Sequence, residues 1–543
     1  TRETTMKKRR QYQQQRLFIV LTQVFILLHT MKCCCSFVTP TIQKNRAGYQ
    51  TVGNVENGIP TATTTQLFEQ QQQQKEETSV GKEILNLSIP TLGALLIDPL
   101  LTLIDTAFVG RFAESSNELA GMGSAAALLT FSFYLCNFLC TATTPLVSNQ
   151  RASGKEDQAI QVGGQALSLA LVLGLLLVVI LLSLQQPLLN IMMGTSSTEA
   201  QQNFAHQFLS FRAIAAPAVL TISASTGILR GYLDTKTPIV ILVVANLVNL
   251  ALDVVLIGFL KMGPMGAAIA TTTAEWMSAI LFLGVLSGML PSAEGELGKK
   301  PEGETTKSIL PARSIPSWQE FKPLLVASSS LFLRTFVLQL YLSSAAALAA
   351  RDGEADSAAA SMSAHQIGVQ LWILGSFISD ALAAASQALV ADGMGRKDSL
   401  RIRTVSQTVL IYSMILGIIL ALLLSLGTDG VLQLFTTDVD TQQALKEIIP
   451  LIILAQPLNA YVFAADGILQ GASEFPFQAK SMALSGAVGA VSFLAINSND
   501  SSSSMLVHVW TALLVLQLVR GITSTVKMVD TNGPIQIWKS LEK

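Results

Sequence analysis

"PAVLTISASTGILRG" (217–231) and "PLNAYVFAADGILQG" (457–471) carry one pattern at two places in the chain. In each, ten positions separate a proline from a Gly-Ile-Leu-x-Gly segment, and a further proline follows, Pro238 in one case and Pro476 in the other. Each segment reads as a turn closing a helix. About seventy residues before each proline lies a polar connector, "PLVSNQRASGKED" (145–157) and "ALVADGMGRKD" (388–398). Two matches in register point to an internal duplication, with parallel repeats related by a pseudo-twofold axis along a membrane normal and a cleft between them.

The membrane follows from composition. Half of the 543 residues are hydrophobic and 13% are charged, against about a quarter in soluble domains. Apolar segments run near 84–109, 118–148, 160–184, 205–226, 237–259, 265–290, 321–349, 358–391, 404–426, 445–467, 477–496 and 505–527. Most reach the roughly twenty residues that a spanning helix needs, and lipid requires backbone groups to be satisfied within each segment. The polar stretch 291–319 divides these twelve into a first lobe, 83–290, and a second, 320–529, with a tail at 530–543. Lys and Arg concentrate in connectors on one side, among them Arg151, Lys155, Arg230, Arg396 and Arg401. The termini and the 291–319 linker therefore face the cytosol or its equivalent.

Ahead of the lobes, the basic "MKKRRQYQQQR" precedes a short apolar run, "LFIVLTQVFILL" (17–28), and then Cys35 and Ser36. That is the layout of a cleavable targeting segment over 1–35. The "SFVTP" after it resembles bipartite plastid presequences, with an ordinary secretory signal or an anchor helix as the alternatives. Residues 36–82, rich in Thr, Gln and Asn, read as a flexible polar tail. A net charge of −1 with dispersed basic residues gives no sign of a nucleic-acid partner. Cys33, Cys34, Cys35, Cys136 and Cys140 have neither metal-ligand nor disulfide-framework spacing.

Further stretches make the chain recognisable: "IPTLGALLIDPLLTLIDTAFVGRF" (89–112), "GILRGYLDTKTPIVILVVANLVNLALDVVLI" (227–257), "GPMGAAIATTTAEW" (263–276), "AHQIGVQLWILGSFISDALAAASQALVA" (364–391) and "QPLNAYVFAADGILQGASEF" (456–475). They resemble the multidrug and toxic compound extrusion (MATE) family, chiefly its DinF-like branch with plant and plastid members. The resemblance implies an all-α integral membrane protein of two six-helix lobes that face each side alternately. It implies an antiporter exporting a small organic solute against H+ or Na+. It also implies that the positions Asp105, Asn249, Asp253 and Thr271 form a cation-coupling network.

The residues support that network independently. Asp105, Asp253 and Thr271 fall at one depth in the outer half of the first lobe, and Asn246, Asn249 and Asp253 make one polar stripe on the fifth span. A carboxylate at the bilayer centre costs about 2.5–3.5 kcal/mol on insertion scales and is rarely idle. The alternative is a hydrogen bond to a helix neighbour. Asp98, before Pro99, either lines the cleft or satisfies backbone groups freed by a kink. Glu275 is a cavity candidate, with a headgroup or inter-helix contact as the alternative. Gln366, Gln370 and Gln387 read as a cavity wall on the eighth span. Arg334 and Asp380, at equal depth on consecutive helices, read as a structural ion pair. Asp466 reads as helix-end packing, His365 as a packing residue, and Trp276, Trp372 and Trp510 as interfacial anchors.

A major-facilitator transporter is disfavoured because "NQRASGKED" matches that family's connector signature poorly. An enzyme is disfavoured by four scattered histidines. A lipid or lipid-linked flippase stays open as the alternative, although Arg334 is the one basic residue that the spans place deep. Sparse interior positive charge disfavours strongly anionic cargo. The expected partners are a small-molecule substrate and the bilayer around a monomer, with the coupling ion in place of any cofactor.

Overall fold

The computed structural model describes residues 79–97, 99–100, 104, 106, 109, 116–193, 198–293, 308–311, 318–349, 355–499 and 504–537. The targeting segment, most of the polar tail, Asp98 and Asp105 lie outside the described residues. The first lobe contains α1 (Ser79–Ile97), α2 (Ser116–Leu135), α3 (Phe138–Ala152), α4 (Glu156–Ser183), α5 (Gln185–Met193), α6 (Glu199–Ala213), α7 (Ala216–Gly231), α8 (Lys236–Asp253) and α9 (Gly263–Leu286). The second contains α10 (Trp318–Ala349), α11 (Ala355–Arg396), α12 (Ser399–Leu426), α13 (Thr428–Phe435), α14 (Val439–Gly471), α15 (Phe475–Asn499) and α16 (Met505–Val529). Eleven of the described helical stretches are long and apolar enough to cross a membrane, α2 and α3 counting as one. A twelfth forms from α6 and α7, bent by 47° at a break that precedes Pro217. Proline at the start of α7 fits a missing backbone donor at a helix N-terminus. In the second lobe the corresponding Pro457 sits inside the unbroken α14.

The two Gly-Ile-Leu-x-Gly segments are not turns. They form the last helical turns of α7 and α14, and their glycines let helices touch backbone to backbone. A Cβ on Gly227 would meet the carbonyl of Cys140 on α3, and one on Gly467 would meet that of Ala383 on α11. Gly174 meets the backbone of Pro217, and Gly417 that of Pro457. The same close approaches recur in both lobes, so the duplication extends to packing. The true turns come just after, where Leu233 and Ser473 both take φ +62°. There Asp234 N–H bonds Leu229 O and Glu474 N–H bonds Leu469 O, both at 2.9 Å.

Each lobe contains an apolar core of its own, and two further cores join the lobes. Leu324, Leu331 and Phe475 pack with Leu139 and Ile228 in one joining core, and Ile84 of α1 with Leu389 and Ile468 in the other. Within the lobes, Leu181, Leu209, Phe208 and Ile257 meet in the first, and Ile448, Ile452, Leu506 and Trp510 in the second. Trp510 and Trp372 are buried there, which corrects their reading as interfacial anchors; Trp276 is exposed. Ile309 of the linker tucks beside Gly163 of α4, its N–H bonded to Leu286 O. The tail also folds back, with Ile535 and Ile537 buried against the second lobe.

The lobes join on the face of the basic connectors. Gln387 Nε2 of α11 donates to Thr141 O of α3 at 2.6 Å, and Ser148 Oγ donates to Ala388 O at 3.0 Å. Below them Asp392, fully buried, accepts from Arg151 at 3.0 Å across the seam and from Arg396 at 2.8 Å. Arg401 stands 3.6 Å from the same carboxylate and donates to Glu83 of α1 at 2.7 Å.

Candidate functional site

In the first lobe the geometry begins with α8. Ala245, Asn249, Asp253 and Ile257 repeat every fourth residue and are all buried, giving one inward stripe. At Asp253 the α-helix ends and a π-helical turn, Val254–Phe259, takes over. Such turns occur mostly as single insertions near functional positions. Asn249 Nδ2 lies 3.5 Å from Asp253 Oδ2, while Asn249 Oδ1 is buried without a hydrogen bond. Thr271 lies on the adjacent α9, largely buried, its hydroxyl donating to Ala267 O at 2.8 Å. Gly266, Ala267, Ala270 and Ala274 of α9 are buried, and a Cβ on Gly266 would meet Ile257 of the stripe. Carboxylate, amide and hydroxyl oxygens are the donor set that a hard cation takes. Asn246 is half-buried and donates back to Leu242 O at 2.7 Å.

Several candidate cavity residues do other work. Glu275 forms a two-pronged ion pair with Arg212 of α6, so it ties span four to span six rather than lining a cavity. Gln387 is buried in the inter-lobe seam. Gln366 and Gln370 are exposed, a turn apart on α11, so the polar face runs from open surface into the seam. His365 is buried with its ring 5.8 Å from that of Trp510.

The second lobe holds an ion cluster that depth alone misassigned. Arg334 of α10 pairs with Asp466 of α14, not with Asp380. Arg520 of α16, 3% exposed, pairs with the same Asp466 oxygen. Gln478 Nε2 adds a bond to Asp466 Oδ1 at 3.2 Å. Arg520 continues to Gln517 at 3.0 Å, which donates to Asn459 at 2.8 Å. Asp380 is half-buried, within electrostatic reach of Arg334, Arg520 and Asp466 but, among the described residues, in no direct ion pair. Reading Gly467 as a turn had placed Asp466 at a helix end. With α14 running to Gly471, the carboxylate belongs to the span. Arg520 was legible too, since it falls inside the 505–527 segment.

A family model described as MatE matches residues 90–255 and 355–492, more than half the chain. The chain belongs to the MATE family. Protein DETOXIFICATION 44, chloroplastic, of Arabidopsis thaliana is 29% identical over 474 residues, covering 86% of this chain and 85% of its own. DNA damage-inducible protein F of Escherichia coli is 27% identical over 449 residues, covering 82% and 91%. The Vibrio cholerae MATE transporter VcmN in its bent form superposes with TM-score 0.72 at 17% identity, covering 83% and 97%, a likeness of fold. The MATE-matched segments contain Asn249, Asp253, Asp380, Asp392 and Asp466, whereas Arg334 and Arg520 lie outside them. The protein is thus a multi-pass membrane transporter of MATE architecture.

Proposed function

We propose that the protein is a secondary active antiporter that exports a small organic solute in exchange for H+ or Na+. Its coupling site is the first-lobe set Asp105, Asn249, Asp253 and Thr271. The observation that carries this reading is the fully buried Asn249–Asp253 pair on the inward stripe of α8, beside the π-helical turn. Occupancy of Asp253 by a proton or cation removes a buried charge and so favours one packing of the helices around it. The duplicated lobes meet at a polar seam on the basic face, which suits rocking of one lobe against the other around a central cleft. The plastid envelope is the membrane suggested by the targeting layout of residues 1–35 and by the chloroplastic relative.

Asp253→Asn keeps the shape of the side chain and removes its charge. In proteoliposomes under an imposed proton or sodium gradient, Asp253→Asn and Asp105→Asn are each expected to lower gradient-driven transport by at least about tenfold. The thermal midpoint of Asp253→Asn should stay near that of the wild type. Wild-type rates in both variants under either gradient would end this reading.

A further inference from the structure

Two short helices stand at matching places in the lobes, and the antiporter reading uses neither. α5 follows α4 after a single residue, α13 follows α12 in the same way, and each leads on to the next span. Both α4 and α12 run for 28 residues from a basic connector, or about 42 Å along the helix axis. That exceeds the hydrocarbon core of about 30 Å and matches a bilayer with its headgroups, about 40–45 Å. α5 and α13 therefore begin in the headgroup region of the leaflet opposite the basic face. Gly174 and Gly417, which meet the backbones of Pro217 and Pro457, stand equally far ahead of them in sequence. The two helices thus correspond residue by residue.

Aligned in this way, they share one three-sided pattern. The fifth residue of each, Leu189 or Leu432, is buried against its own lobe. The second and sixth, Gln186 and Asn190 in α5 and Asp429 and Gln433 in α13, are polar and exposed on one flank. At 3.6 residues per turn the fourth and seventh fall on the opposite flank, and there both helices are apolar, with Ile191 and Leu434 at the seventh place. Ile191 is 78% exposed, and the eighth residues, Met192 and Phe435, are 42% and 44% exposed. The roll of α5 is fixed by Gln185, whose Nε2 donates to His206 O of α6 at 2.7 Å and to Ser210 Oγ at 3.0 Å. One side on protein, one polar and one apolar is the layout of a helix lying in a membrane surface. Neither helix carries Lys or Arg, so attraction to anionic headgroups plays no part.

We propose that α5 and α13 are a matched pair of interfacial anchors, lying in the leaflet opposite the basic face with Ile191, Met192, Leu434 and Phe435 in its acyl–headgroup boundary. The partner of this surface is uncharged lipid. Leu184 and Leu426, at the junctions that lead into the two helices, are 48% and 87% exposed, so the lipid-facing surface of the spans runs on into them without a break. Each lobe is thereby held at its own depth in that leaflet, whichever ion drives transport.

Spin labels in the full chain, reconstituted in phosphatidylcholine nanodiscs, test this without any gradient. Labels are attached in four single variants, Ile191→Cys, Phe435→Cys, Gln186→Cys and Gln433→Cys, and the unsubstituted protein labelled in parallel supplies the background of its own cysteines. Power saturation with oxygen and a water-soluble nickel chelate reads the depth of each label. Labels replacing Ile191 and Phe435 are expected about 5–10 Å below the lipid phosphates, and those replacing Gln186 and Gln433 at or above them. Equal access of the nickel chelate to all four places both helices in water and overturns the proposal. Shielding of the Ile191 and Phe435 positions from both reagents also overturns it, because a second copy of the chain then covers the surface. Lipid exposure of one helix alone removes the matched pair. Should a variant fail to fold, Met192 of the wild type decides. Peroxide is expected to oxidise it in nanodiscs at least about fivefold more slowly than in the peptide 185–193 free in water. Oxidation at the free-peptide rate would overturn the proposal equally.

Discussion

Asp466 holds two guanidinium groups on one oxygen and an amide on the other, inside a membrane span. Removing its charge strands both arginines in a low-dielectric setting, where breaking a buried pair typically costs about 3–5 kcal/mol. Asp466→Asn is therefore expected to lower the thermal midpoint and yield of the purified protein sharply. Adding Arg334→Met should restore part of the loss, because one stranded charge is then replaced by an apolar chain of similar length. An unchanged midpoint in Asp466→Asn would mean that the pairing carries no stability. At this scale the sequence was partly readable. Charge and depth could be read from position within a span, which flagged Asp253, Arg334 and Asp380. Partnership depends on how each helix is rotated about its axis and which helix stands beside it. Equal depth therefore suggested Asp380 for Arg334, whereas packing supplied Asp466. For Glu275 the structure shows the inter-helix alternative, its partner Arg212 lying on a helix that no local spacing connects to it.

Among the elements, α14 and α7 depend on glycines that act by absence of a side chain. Gly467 abuts the Ala383 carbonyl and the Ser386 hydroxyl of α11, so a methyl group there forces the two helices apart. Overpacking of this kind costs typically about 1–3 kcal/mol. Gly467→Ala is expected to lower the thermal midpoint, and Gly227→Ala, against Cys140, to do likewise. Gly123 on α2 is the control, because a Cβ there meets nothing within 4 Å. Gly123→Ala should be neutral or slightly stabilising, as expected for an open helical site. Equal melting of all three variants would mean that the close approaches carry no load. The repeated motif revealed two equivalent places in the chain. It did not reveal their conformation, because glycine suits both a turn and a close helix crossing. Only the neighbouring helix distinguishes the two.

For the whole molecule, the proposed alternation between faces requires the seam on the basic side to open. Its central group is Asp392, fully buried, with Arg151 reaching it from the first lobe and Arg396 and Arg401 from the second. The two polar connectors that flagged the duplication therefore meet in space and hold one face shut. Charge counting placed these residues on one side without indicating that they bond across it. Opening that face parts Arg151 from Asp392 but leaves Arg396 and Arg401 to keep the carboxylate paired, so the contact can break without isolating a charge. Asp392→Asn weakens the closed state selectively, and a shift of about 1.4 kcal/mol changes the ratio of closed to open tenfold. Spin labels at Lys155 and Lys397, exposed residues of the two connectors, report the separation directly. Wild-type protein should give one short distance, and Asp392→Asn should add or enlarge a longer population. Arg396→Gln, which removes a partner within one lobe, should shift the populations less. If Asp392→Asn leaves the distance distribution unchanged, the seam is held by helix packing at Ser148, Gln387 and Gly395, and the arginines only decorate it.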